Sequence, residues 1–183
     1  TTVEVLNTLH RTNCLRDITP EIIVKNPEIL STLRMSTCPP IAVDRLIGLA
    51  GVNSSMVKRI ENDKKLPERM SSAELSEQLK KICNVINKLL DKDIFPWLTN
   101  IDSLDDDEVK RASTIIADRL CGAVANPIIR NAQEKRQLSS IKEWLEKRGY
   151  KQLPDNQKIT ANEMKPGTFA FRFNVQVKME NEN

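Results

Sequence analysis

Residues 153–165 read LPDNQKITANEMK and contain Pro154-Asp155 followed by Glu163-Met164-Lys165. Two acids and a lysine in that order can grip Mg²⁺ and stabilise or activate an attacking water, as in metal-assisted phosphodiester hydrolysis. Asp155, Glu163 and Lys165 are therefore candidate catalytic residues. Their spacing works against them. The first acid and the Glu-X-Lys step normally occupy neighbouring strands, but here seven residues separate Asp155 from Glu163, and the segment is polar and ends at Pro166-Gly167. A surface loop is the expectation there. His10 has no catalytic partner near it in sequence, and no Ser-His-Asp or Cys-His arrangement is present.

A second kind of chemistry, contact with nucleic acid, is suggested by RLIGLAGVNSSMVKRIENDKKLP, residues 45–67. Leu46, Ile47, Val52, Val57 and Ile60 are spaced as the buried positions of two short helices joined by a turn at Gly51. Asn53 can cap the second helix, which leaves Ser54, Ser55, Lys58, Arg59 and Asn62 facing outward. Short hydroxyls at a helix start with basic residues one turn later suit contact with base edges and phosphates. The stretch resembles the helix-turn-helix of phage-repressor-type DNA-binding domains, with Asp63 standing where those domains usually have Gly. The competing account is two packed core helices with a solvated basic face.

The third candidate is ANPIIRNAQEKRQL and its continuation. Arg130, Lys135, Arg136, Lys142, Lys147, Arg148 and Lys151 outnumber Glu134, Glu143 and Glu146, which makes this the most basic part of the chain. Its apolar positions Ile128, Ala132, Leu138, Ile141 and Leu145 are expected to face a core. The outer face is either a solvated charged surface or a phosphate-binding one.

These residues need elements to position them, and the chain supplies mostly helices. Residues 1–40 are broken by Pro20 and Pro27 into short helices, and Cys38-Pro39-Pro40 forces an extended stop. The helix-turn-helix-like unit covers 41–70. Residues 71–150 are expected to form a three-helix core. The first helix is capped by Ser71 or Ser72 and carries Leu75, Leu79, Ile82, Ile86 and Leu89 on one stripe. The second starts with the acids Asp105 to Glu108, which the helix dipole favours, carries Val109, Ala112, Ile116, Leu120 and Ala123, and closes at Asn126-Pro127. The third starts at Pro127 and ends at Gly149. Within 151–183 the period changes to two: Phe169, Phe171, Phe173, Val175 and Val177 alternate with polar residues, as in a half-buried strand. Its only local pairing candidate is the short, polar Lys151 to Thr160, so it is expected to pair with another chain or to begin a larger sheet.

Composition narrows the classes further. The 4% of aromatics and five glycines argue against a long β-rich fold, because strands and tight turns consume those residue types. A net charge of +3 gives no overall positive field, so any polyanion partner must be met by local patches. The four cysteines are scattered without a CxxC pair, which argues against structural zinc and against a disulfide scaffold and favours a reducing cytoplasm. No apolar run long enough to span a membrane and no secretory signal is expected.

Three blocks, MSTCPPIAVDRLIGLAGV, ADRLCGAVANPIIRNAQEKRQLSSIKEWLEKRGY and PGTFAFRFNVQV, in that order, resemble the XamI-type family of type II restriction endonucleases. The resemblance runs from about Met35 to Val177. It implies sequence-specific cleavage of double-stranded DNA by a PD-(D/E)xK core with Mg²⁺, generally as a homodimer. In such enzymes the strand corresponding to Phe169–Val177 opens the catalytic sheet, and the metal-binding acids follow it. Asp155, Glu163 and Lys165 precede that strand, so the resemblance transfers no catalytic residue and no metal ligand. Glu134, on the helix leading into the sheet, is at most a supporting carboxylate. The resulting expectation is a mainly α chain ending in one strand or small hairpin. It would be the DNA-binding part of such an enzyme, catalytically incomplete and without a cofactor of its own, with Mg²⁺ expected for the full nuclease, double-stranded DNA as partner, a possible homodimer, and no membrane. Two rivals are a helix-turn-helix regulator with no nuclease ancestry and a helical interaction module that lends its terminal strand to a partner's sheet.

Overall fold

The computed structural model describes residues 1–154 and 164–171. Among them the chain is mainly helical with a small parallel sheet near its C-terminal end, and it divides into two units, Thr1–Val124 and Ala125–Asn183. No described helix is long and apolar enough to cross a membrane.

The first unit is organised around α6 (Ser72–Leu89). Ser71 caps it by accepting the Glu74 N–H at 3.2 Å. Its expected stripe is the core: Leu75, Leu79, Ile82 and Ile86 are buried with Cys83 among them, and Leu89 is partly buried. Against it pack α2 (Pro20–Lys25), through Ile23, and α4 (Val43–Ala50), through Leu46. The core also takes in Val5 and Leu9 of α1 (Thr2–Arg11), Leu30 and Leu33 of α3 (Leu30–Met35), and Met56, Val57 and Ile60 of α5 (Ser54–Asp63). It is completed by Ala112 and Ile116 from the start of α7 (Asp106–Glu146).

Loops in this unit are fixed by specific polar contacts. Asn13, Cys14 and Leu15 all take positive φ, a run that L-residues disfavour. Thr12 Oγ1 accepts the Leu15 N–H at 3.1 Å, and the Trp97 indole donates to the Cys14 carbonyl at 2.8 Å. Trp97 itself is buried edge-to-face against Phe95, with ring centroids 5.5 Å apart. Arg119 of α7 donates to the carbonyls of Met35 and Thr37 and pairs with the buried Asp91 at 3.0 Å.

Two expectations need correction. The three-helix reading of 71–150 fails at Asn126-Pro127: α7 runs unbroken through Pro127 to Glu146, so two long helices stand where three were expected. A helix can tolerate an interior proline when the lost N–H bond and the clash with the preceding turn are offset elsewhere, and the helical residues on both sides supply that cooperativity. The strand also has a local partner. Among the described residues β1 (Lys151–Gln152) and β2 (Thr168–Phe169) pair in parallel, Lys151 with Thr168 and Gln152 with Phe169. Polar character did not disqualify the first two residues of 151–160, because the ladder uses backbone groups: the Leu153 N–H donates to the Phe169 carbonyl at 2.8 Å.

The end of α7 and the paired phenylalanines of the second unit follow sequence expectation. Gly149 takes φ +86° just after α7, and the Tyr150 N–H closes onto the Leu145 carbonyl. Phe169 and Phe171 meet edge-to-face at 5.4 Å, as period-two residues on one face do. Phe173, Val175 and Val177 lie outside the described residues.

Candidate nucleic-acid interface

The α4–α5 pair consists of two short helices joined by a turn at Gly51. Gly51 ends α4 at φ +60°, a left-handed turn that glycine adopts without steric cost, and no atom lies within 4 Å of where its Cβ would be. The requirement there is therefore conformational rather than spatial. Asn53 caps α5: its Oδ1 accepts the N–H groups of Ser55 at 2.9 Å and Met56 at 3.2 Å. The Asn53 N–H in turn donates to Gln78 of α6 at 2.9 Å, which ties the turn to the core helix.

Helical spacing then sorts α5 into two sides. Met56, Val57, Ile60 and Glu61 are buried. Ser54, Lys58 and Asn62, each four residues from the next, are exposed along one line, with Ser55 exposed and Arg59 half-buried beside it. The five candidate contact residues thus share one side of one helix. Their chemistry is less available than the sequence implied. The Ser55 hydroxyl donates to Asn53 Oδ1 at 2.7 Å, Lys58 pairs with Asp44 of α4 at 3.1 Å, and Arg59 pairs with Glu68 at 2.5 Å. α5 ends with Lys64, not Asp63, in the left-handed conformation at φ 56°.

Beneath this face is a feature that sequence reasoning missed. Arg34 Nε of α3 donates to Glu61 Oε1 at 2.7 Å, and the same guanidinium reaches the Ile41 carbonyl. Both partners are under 10% exposed, so the pair clamps α5 to α3 inside the core. The available signal was Glu61 next to Ile60 and four residues after Val57, a carboxylate on the apolar side of its helix.

In the second unit, Arg130, Lys135 and Arg136 are exposed on α7, as is Glu134. From 125 to 151 seven cations face three carboxylates, a net +4. The expected apolar stripe is only half-covered here: Leu138 and Leu145 are partly buried, whereas Ile128 is 63% exposed and Ile141 40%. Trp144 is also exposed and carries the Arg148 guanidinium 3.6 Å above its ring. An open depression of about 460 Å³ is lined by Lys142, Glu146, Tyr150 and the residues of 151–154.

Of the acid-and-lysine set, Asp155 and Glu163 lie outside the described residues, and Lys165 is exposed. Among the described residues no three His, Cys, Asp or Glu side chains gather so as to hold a metal ion.

The chain is mainly helical, with a buttressed pair of short helices, α4 and α5, and a basic face on the second half of α7. Residues 13–181 match the XamI restriction endonuclease family, and the chain belongs to that family. It is 47% identical over 174 residues to the type II restriction enzyme SalI of Streptomyces albus G. That match covers 95% of this chain and 55% of the relative, so the chain spans little more than half the length of SalI. No solved structure matches it.

Proposed function

We propose that this chain is the DNA-recognition part of a type II restriction endonuclease, with α5 addressing base edges and the basic half of α7 addressing phosphates of double-stranded DNA. The observation that carries the reading is the α5 side bearing Ser54, Ser55, Lys58, Arg59 and Asn62, held by the Asn53 cap and the buried Arg34–Glu61 clamp in a member of a restriction-endonuclease family. Arg130, Lys135 and Arg136 supply sequence-independent attraction, because each phosphate neutralised releases a condensed counterion. Recognition is assigned to these residues because short polar and basic side chains along one exposed helix side suit contact with base edges and phosphates. Mg²⁺ belongs to the proposal only as the cofactor of the full nuclease, and a second copy as the partner that a two-fold DNA site would call for.

The test is binding of duplex DNA by the purified chain over a range of salt, with a parallel Mg²⁺ cleavage assay. Salt-sensitive binding without cleavage is expected. Binding that is absent or indifferent to salt defeats the DNA role, and robust cleavage by this chain defeats the assignment to recognition alone.

A further inference from the structure

The α5 side proposed to meet DNA is electrostatically masked. Both cations of the helix are held by carboxylates from outside it: Lys58 by Asp44 of α4, and Arg59 by Glu68 of the segment after α5. Neither pair follows from helical periodicity, unlike Lys81–Glu77, Lys110–Asp107 and Arg111–Glu108, which lie three or four residues apart on one helix. The masking carboxylates are themselves well hydrated, with side chains 82% and 80% exposed. Such pairs are weak and exchangeable. A phosphate approaching Lys58 or Arg59 must nevertheless displace a carboxylate and leave that negative charge close by.

We infer that Asp44 and Glu68 are specificity-determining residues: they hold Lys58 and Arg59 away from phosphates until base-edge contacts by the neighbouring polar side chains offset the exchange. The inference rests on the reading that α5 meets DNA. Specificity is a difference between two affinities, and a competing charge lowers the non-specific one most, because a non-specific complex has only phosphate contacts to offer. The basic half of α7 and the residues just after it carry seven cations against three acids between 125 and 151, so general attraction to DNA survives the masking.

The experiment compares the whole chain with Asp44→Asn, Glu68→Gln and the double variant, and with Lys58→Gln and Arg59→Gln. The probe is random-sequence duplex DNA titrated by fluorescence anisotropy at several salt concentrations, followed by selection from a random duplex library. Asp44→Glu, which keeps the charge, controls for changes of shape. Removing either acid is expected to tighten binding to random duplex roughly three- to fivefold, to steepen the plot of log affinity against log salt by roughly 0.9, and to flatten the selected sequence preference. Asp44→Glu is expected to behave as the parent chain. Unchanged affinity and salt slope in the acid variants, while Lys58→Gln and Arg59→Gln weaken binding, overturns the inference and leaves the α5 reading standing. If the cation variants also bind like the parent, the α5 reading fails and this inference falls with it.

Discussion

Glu61 shows how one side chain ties the proposed interface to the core. It projects from the buried side of α5 onto Arg34, and an ion pair this deep is costly to break from one side because the remaining charge has no water to return to. Glu61→Ala is expected to lose about 3–5 kcal/mol in chemical denaturation, while Arg34→Met combined with Glu61→Leu recovers most of that loss. Neither partner was legible as a pair, because 27 residues separate them and nothing local links α3 to α5. The thiols sort by burial in a comparable way. Cys83 is buried in the α6 stripe, and burial, aided by the Glu21 charge, pushes its pKa up to about 12. Burial raises Cys14 as well, against the lowering influence of Arg16. Since the thiolate is the reactive form, alkylation of the native chain is expected to label the exposed Cys38 and Cys121 quickly and Cys14 and Cys83 slowly. At mildly alkaline pH Cys83 remains protonated, because its pKa lies above that range. Mass-spectrometric mapping of the labelled sites checks this, and early modification of Cys83 would contradict its burial.

Two prolines and a lysine separate what local rules decide from what cooperativity decides. Pro20 begins α2 at a position where the missing N–H costs nothing, and the element was legible for that reason. Pro127 obeys the same N1 preference in isolation, but it lies inside α7 because helical residues on both sides extend through it. Pro127→Ala restores a helical N–H and is expected to raise stability by up to about 3 kcal/mol, with slower amide exchange around residues 123–131. No gain would mean that the strain is relieved within the native helix. Lys64 ends α5 in the left-handed region without glycine's freedom, and Lys64→Gly is expected to stabilise the chain by about 1 kcal/mol in thermal or chemical unfolding. The Asn53 cap and the Gly51 turn were both readable, since each rests on a backbone preference within a few residues of itself. The β1–β2 pairing was not, because β1 is short and polar and its partner is fixed by chain topology rather than composition.

At the scale of the molecule, charge is divided between the two units. The α4–α5 region from 41 to 70 holds six cations and four acids, two of which mask Lys58 and Arg59 and a third of which is buried against Arg34. The basic half of α7 carries the larger excess. Replacing Arg130, Lys135 and Arg136 together by Gln is therefore expected to weaken binding to all duplex sequences alike. The salt slope should fall by roughly two to three units, with the selected preference unchanged. Loss of preference with the slope intact would move sequence reading from α5 to α7. The family relation was legible in the sequence, since its blocks are spread along most of the chain, and the match over residues 13–181 bears it out.

The sequence by itself determined the helical class, the caps and turns of the α4–α5 pair, the stripe of α6 and the family, because each is written in neighbouring residues or in ordered blocks. Only the tertiary structure decided that α7 continues through Pro127, that Arg34 clamps Glu61, and that Asp44 and Glu68 cover the cations of α5. Those outcomes depend on which distant side chains are brought within a few ångströms and on how much water is left between them, and no local preference encodes either quantity.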